Sequence, residues 1–587
     1  MQVTMPLPPG PVYLLSRIPR FAIPSAIVYL STRVVQQQTS LKVPSWVVFV
    51  ASLLARPAIF YFQVLYGDIV NKREAVKHGA VLPPLVQESG LKVIQTMVEN
   101  LKHGYPAEPF RRWAENYGHT YRIHLLTETA LFTDDPDAIK AMLATQFEAF
   151  EKGPIFQDQV DALFGTGVFN SDGEMWKFHR GITRPFFTRE RISDFDIYAR
   201  NAGRSLKQAK KRLAEGYSID FQDLVSRFTL DSATEFLFGH NVSSLSAGLP
   251  YPPSAAHLTP ASYHTHPATI FTKAFTEGQL LASLRTGQGT EWRLFEFWKD
   301  KVTPLRKVMD TFTEPVIKEA LEKEKREKEV KEEEEGTLLE YLVKQTQDPK
   351  ILKDELVNLL VAGRDTTMGL ITYSVYMLIQ NPHIEPRLRQ EIFDIVGPTA
   401  RPTYDHMRKM RFVRAFLNEV LRLYPSVPVN VRKSNRAVLL PNSEPGQKPF
   451  YIPADTTLIY GVLNTHRRAD LWGPDAQVFD PDRFLDERVH KYLTPNPFIF
   501  CPFNAGPRIC LGQQFAYHEA TFYLVKLLQH FTGFTLDEET NQPPLPEWAS
   551  ATDRKKDEKV HPITHLTLSV VGGFWIRMKE LNPGDLD

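Results

Sequence analysis

The chain of 587 residues carries 69 Lys and Arg against 68 Asp and Glu, and a net charge of +1 excludes a whole-chain basic field for nucleic acid. A hydrophobic share of 43% and a charged share of 23% describe a globular core rather than a disordered chain. Two cysteines, Cys501 and Cys510, are too few for a disulfide framework or a multi-cysteine zinc ribbon, and 44 prolines announce many loops.

The amino terminus holds two apolar stretches, Phe21–Val35 and Val43–Tyr66, separated by the polar run Gln36–Lys42. The second is long enough to cross a hydrocarbon core of about 30 Å. Its flaws are Arg56 and Pro57, and a central Arg costs about 2.5–3.5 kcal/mol on insertion. Arg17 and Arg20 before the pair, and Lys72, Arg73 and Lys77 after it, suit a hairpin with both ends cytosolic. A single span is the alternative. Residues 1–70 are therefore expected to anchor the chain in a lipid bilayer, and 71–587 to form one large unit, although length alone suggests about four domains.

That unit reads as mainly α with a small β subdomain. Residues 117–135 alternate like a hairpin, and Pro136 opens a helix. Residues 242–268 read as a long surface loop, in which His257, His264 and His266 are solvated. The charged run 319–336 reads as a solvated helix and linker. A long helix over Leu352–Gln380 stops at Asn381-Pro382, a second covers Phe412–Tyr424, and 428–465 suggest a small sheet.

Near the carboxyl end a Gly- and Pro-bearing loop leads through Arg508 to Cys510 and Gly512, and an apolar periodic helix follows at once. A thiolate at a helix N-terminus is stabilised by unpaired amides and the dipole. Small neighbours let a flat ligand approach the backbone, and Arg508 is placed to hold an anionic group. One thiolate without companion ligands cannot build a zinc site, but it supplies the single axial bond that haem needs. Cys501 reads as packing.

This loop resembles the haem-binding loop of the cytochrome P450 family, Phe-x-x-Gly-x-Arg-x-Cys-x-Gly, at Phe503, Gly506, Arg508, Cys510 and Gly512. Three further matches occur in the family's order. AGRDTT on the long helix resembles the oxygen-activation motif, with Ala362 and Gly363 beside the cofactor, Asp365 relaying protons and Thr366 supplying a hydroxyl. A mid-helix Gly costs about 1 kcal/mol, and it makes sense if the helix opens locally to admit dioxygen and water. Glu419 and Arg422, at i and i+3, would be locked by Arg483. Trp176, Arg180, Arg432 and Arg508 match propionate-binding positions.

The resemblance covers about residues 90–580 and implies a cytochrome P450 fold behind the membrane anchor. It also implies haem b (iron protoporphyrin IX) on Cys510, and insertion of one oxygen atom from O2 into a C–H bond of a small hydrophobic substrate. No dinucleotide fingerprint is present, so the resemblance implies electrons from NADPH-cytochrome P450 reductase. It places the catalytic domain on the cytosolic face of the endoplasmic reticulum. Residues 466–484 and the AGRDTT helix resemble fungal membrane-bound hydroxylases of alkanes and fatty acids. A broad xenobiotic or polyaromatic monooxygenase is the alternative, and a haem-thiolate isomerase needing no external electrons a remoter one. Leu359, Ala362, Val427, Val429 and Asn430 are candidate substrate linings.

Overall fold

The computed structural model describes residues 7–39, 42–188, 192, 195–330 and 336–581, with backbone only for 327–330. Its organising element is the long helix, which runs over Pro349–Gln380. Asp348 caps it by accepting from the Lys350 N–H at 2.8 Å, Pro349 sits where no N–H is needed, and it ends at Asn381 before Pro382. It is buried on nearly every side, as a helix apolar all round must be in a large protein. Its first half packs into one hydrophobic cluster, and its second half joins another with the helices Arg411–Leu423 and Gln513–His530. One helix threading two cores makes a single body where length alone suggested several.

Helices are labelled in chain order: α1 Pro9–Gln38, α2 Ser45–Lys77, α3 Gly153–Phe164, α4 Gly173–Thr183, α5 Phe221–Phe238, α6 Pro267–Gly287, α7 Val302–Val330, α8 Pro349–Gln380, α9 Arg411–Leu423 and α10 Gln513–His530. The main sheet has strands β1 Thr120–Leu125, β2 Glu128–Thr133, β3 Phe150–Glu151, β4 Val429–Ser434 and β5 Thr457–Gly461. Their order is β1-β2-β5-β4-β3, with β2 and β5 parallel and the other pairs antiparallel. The expected hairpin is thus β1–β2, and 428–465 do contribute strands, although Val462–His466 turns helical. A two-stranded ladder, β6 Pro562–Thr564 and β7 Leu568–Val570, lies near the carboxyl end.

One reading needs correction, and the helix expected at Pro136 is present. Residues 242–268 hold three short helical segments, and Ser244 and Leu245 are buried because their amides donate to the Asp231 carboxylate at 2.7 and 3.3 Å. There His266 caps α6, its ring nitrogen accepting from the Ala268 N–H. The helix at Pro136 lasts only to Lys140, then widens into a π-helical turn, Ala141–Thr145. The charged run is helical to Val330, and 331–335 lie outside the described residues.

α1 and α2 pack on each other, with the Ser25 hydroxyl donating to the Ser52 carbonyl at 2.7 Å. α2 continues unbroken past residue 70 to Lys77, and it is long and apolar enough to cross a membrane. The start of α1 rests on the globular body, where the Gly10 N–H donates to the Phe297 carbonyl at 2.9 Å.

Candidate active site

The cysteine loop is built around one close approach. Gly506 has φ +65°, and a Cβ there would lie 1.7 Å from the Leu143 carbonyl oxygen in the turn Ala141–Thr145. Only glycine fits both constraints. Within the loop the Cys510 N–H donates to the Phe503 carbonyl at 2.9 Å, and the Asn504 N–H to the Cys501 carbonyl at 3.1 Å. Tyr460 adds its hydroxyl, donating to Asn504 Oδ1 at 3.0 Å. α10 starts three residues after Cys510.

Cys510 is exposed and lines a cavity of about 280 Å³, many times the ~10–15 Å³ that one water needs. Burial pushes its thiol pKa up, and the Gly512 amide and the Arg180 guanidinium offset this only in part. The helix-terminus stabilisation expected from sequence is therefore present but outweighed by desolvation. Such a thiol is made a thiolate by a coordinated metal ion. Cys501 is buried with its pKa at about 12, as a packing residue should be.

One end of the cavity concentrates positive charge. Arg432, Arg508 and Lys152 all line it, and Trp176 lies under the Arg508 guanidinium at 4.5 Å. Arg508 donates to Asp172 Oδ1 at 2.5 Å and to the Ser171 carbonyl at 3.1 Å. Burial first, and Arg432 second, pull its pKa down to about 10 against the Asp172 charge. The Lys152 ammonium, which donates to Asn430 Oδ1 at 2.8 Å, is pushed well below its usual range by burial and by both arginines. Arg432 Nε and Arg508 Nε are buried without an acceptor. Orphaned guanidinium N–H groups beside an excess of buried cations call for anionic oxygens. With a thiol in the same cavity, the donor set fits an iron porphyrin carrying carboxylates. Arg180 also lines the cavity and donates to the Ile509 carbonyl at 2.8 Å. Lys152 was missed from sequence, because a lysine in FEKGP carries no motif signal.

Across the cavity stands α8, which presents Leu359, Ala362, Gly363, Thr366, Thr367 and Leu370. The helix is continuous here, and the Thr366 hydroxyl donates to the Ala362 carbonyl at 2.7 Å. The Thr366 carbonyl accepts from the Ser426 hydroxyl at 2.8 Å. Gly363 serves packing as well: a Cβ there would come within 3.0 Å of Ala233 Cβ on α5. The helix is unbroken at this glycine, and the close approach of α5 gives it a packing role. Asp365 does not line the cavity; it is buried against Arg364 and Gln279. Of the substrate linings, Leu359, Ala362, Val427 and Asn430 face the cavity, whereas Val429 packs in a separate cluster.

Phe503 and Gly512 line the cavity, and Gly506 shapes the loop behind it. Glu419, Arg422 and Arg483 lie off it, all buried. Arg422 pairs with Glu419 through two bonds of 2.7 and 2.8 Å and also caps the carbonyls of His466, Ala476 and Val478. Arg483 lies 3.7 Å from Glu419 and pairs more closely with Asp475, at 2.9 Å.

The sequence profile of the cytochrome P450 family matches residues 87–560. Cytochrome P450 52A9 of Candida maltosa is 34% identical over 503 residues, covering 84% of this chain and 89% of that protein. Cytochrome P450 52A3-A of the same organism is 38% identical over 428 residues, 70% of this chain and 77% of that one. Cytochrome P450 52A1 of Candida tropicalis is 36% identical over 437 residues, 72% and 76%. A cavity thiol facing a threonine-bearing helix, a cluster of unsatisfied cations and these likenesses agree, and the chain belongs to the cytochrome P450 family, whose members are haem-thiolate monooxygenases.

Proposed function

We propose that this monooxygenase hydroxylates fatty acids or alkanes at the endoplasmic reticulum membrane, drawing electrons from NADPH-cytochrome P450 reductase. The observation that carries the reading is the wall between Cys510 and α8, where Val168, Phe169, Leu359, Ala362, Leu370 and Val427 leave mainly apolar surface. Such a wall recognises aliphatic chain by burial and offers few groups to orient polar substrate. The likeness of residues 466–484 to fungal alkane and fatty-acid hydroxylases supports the same class.

Cys510 would hold the haem iron through its thiolate in this reading. Trp176, Arg180, Arg432, Arg508 and Lys152 would hold the porphyrin carboxylates. The bound haem supplies dioxygen activation and insertion of one oxygen atom into a C–H bond. The residues around it exclude water and handle protons: Thr366 presents its hydroxyl oxygen at the cavity wall, and Asp365 hands protons towards it. Glu419, Arg422 and Arg483 act structurally.

Residues 1–70 are the proposed anchor and 71–587 the catalytic domain. Gly10 rests on Phe297 of the globular body, and the far end of α2 packs on that body through Ala75 and Tyr451. This supports a two-helix hairpin with both ends on the cytosolic side.

The test is reconstitution with a reductase and NADPH. The reduced carbon-monoxide difference spectrum reports thiolate ligation, and long-chain fatty acids, alkanes and polyaromatics are compared as substrates. Turnover confined to polyaromatics would overturn the substrate class, and NADPH-independent turnover of a hydroperoxide alone would overturn the electron supply. Thr366→Ala is expected to keep the thiolate spectrum while product formed per NADPH falls by about tenfold or more, with hydrogen peroxide released instead. Unchanged yield per NADPH removes Thr366 from proton handling.

A further inference from the structure

The bonds of Asp365 have a consequence for when it acts. Its carboxyl is buried, with burial raising its pKa, and each oxygen holds one donor. Oδ1 accepts from Arg364 Nη1 at 2.6 Å and Oδ2 from Gln279 Nε2 at 2.5 Å. Successive helical residues point about 100° apart, so Thr366 faces the cavity while Asp365 faces α6. To pass a proton towards Thr366, the carboxyl has to give up one of these donors.

The two donors differ in what holds them. Arg364 is on α8 itself, and its Nε and Nη2 both donate to the Ser226 hydroxyl at 3.0 and 2.6 Å. It moves with the helix that carries Asp365. Gln279 belongs to α6, and its side-chain oxygen accepts from the Thr567 hydroxyl, in the turn between β6 and β7, at 3.3 Å. The Gln279 bond is therefore the one that changes when α6 shifts over α8. Beside it, Gly278 lets α6 lie close over α3, since a Cβ there would meet Leu163 at 2.9 Å. At its far end α6 leads into the segment whose Phe297 carries the start of α1. α6 thus lies between the anchor side and the acid.

We propose that Gln279 is a positioning residue that holds Asp365 turned away from the cavity and frees it when α6 shifts, tying proton delivery to the state of α6. This rests on the reading of Asp365 as the proton-handling acid.

The experiment compares wild type, Gln279→Leu, Asp365→Asn and the double variant as reductase-reconstituted holoenzymes. Gln279→Leu is expected to raise substrate-free NADPH oxidation by about threefold and to shrink the solvent deuterium isotope effect on kcat. In the infrared, measured on the resting ferric protein, it shifts the carboxyl band of Asp365, as loss of one hydrogen bond requires. Asp365→Asn removes that band and identifies it. Gln279→Asn keeps an amide but withdraws it from Asp365, and gives the same changes, which covers failure of the leucine variant to fold. In the Asp365→Asn background Gln279→Leu adds nothing. Wild-type behaviour of both Gln279 variants, or an undiminished effect in the Asp365→Asn background, overturns the proposal. Wild-type turnover and isotope effect in Asp365→Asn alone overturn the assignment of Asp365 beneath it, whatever the Gln279 variants do.

Discussion

The two glycines of the cysteine loop have equal standing in the motif, and the structure predicts that they differ sharply. Alanine at 506 meets two penalties. Its φ of +65° costs an L-residue about 1–2 kcal/mol. Its Cβ would also lie 1.7 Å from the Leu143 carbonyl oxygen, where real contacts are not closer than 3.0 Å, so one backbone has to move by about 1.3 Å. Overpacking of this kind costs about 1–3 kcal/mol, giving a total of about 2–5 kcal/mol. The strain falls on the loop that sets the thiol. Gly512 has φ −81° and its nearest foreign atom, Phe187 Cε1, would be 3.4 Å from a Cβ. Alanine there should change stability by no more than about 1 kcal/mol. Haem-to-protein ratio, carbon-monoxide spectral amplitude and the thermal midpoint of the holoprotein are the assays. Gly506→Ala is expected to lose most of its haem and melt lower, while Gly512→Ala stays near wild type. Equal behaviour of the two, or a worse Gly512→Ala, refutes the argument.

Two further outcomes follow from buried charge. Arg422→Ala strands the Glu419 carboxylate, which is completely buried, and should cost about 3–5 kcal/mol, read as a fall in thermal midpoint and in yield of folded holoprotein; a midpoint equal to wild type refutes it. Glu519 on α10 is fully buried, with the hydroxyls of Thr367 and Ser232 close by but no well-formed hydrogen bond, and burial holds its pKa well above the usual 4.5. Above about pH 4.5 the unfolded chain has lost this proton while the folded chain keeps it, so stability falls with rising pH at about 1.4 kcal/mol per unit until the folded pKa is passed. Glu519→Gln lacks that loss, so its stability relative to wild type should climb as pH rises above about 5. A flat difference across that range refutes the assignment of a neutral Glu519.

The residues legible in the sequence are those whose spacing is local. Cys510 and its loop, the Glu419–Arg422 pair and Trp176 with Arg180 each lie within one turn or one helix, so a short string carries them. The end of α8 was legible for the same reason, since Asn381-Pro382 stops an apolar run, while its start lies at Pro349, three residues before the Leu352 expected. Lys152, Gln279 and Glu519 were not, because each acquires its character from partners far along the chain: Asn430 for Lys152, Asp365 for Gln279, Thr367 for Glu519. Gly363 differs again: its position was read from the motif, and the closeness of α5 adds a packing reason that no local string carries. Asp365 and Thr366, adjacent in sequence, point to different partners because a helix turns between them.

The Glu419–Arg422 pair is structural, yet it reaches the thiol through one histidine. The His466 ring is buried and its pKa is held down to about 3, so it is neutral. Its Nδ1 lies 3.2 Å from the Arg422 carbonyl oxygen, which can only accept, and its Nε2 accepts from the Cys501 N–H at 3.0 Å. Those partners fix the tautomer with the proton on Nδ1. Arg422 answers by donating to the His466 carbonyl at 2.9 Å, while Glu419 accepts from the Asp480 N–H at 2.9 Å. A chain of directed bonds therefore runs from α9 through His466 to Cys501. From there the Cys501 carbonyl holds Asn504, and Phe503 holds the Cys510 amide. Glu419, Arg422, His466 and Cys501 in this chain are buried, where an unmade bond costs more than a made one yields. The loop that carries Cys510 is thus held from two sides, by Leu143 against Gly506 and by the lock acting through His466. That is why a residue pair far from the cavity belongs to the machinery that places its thiol.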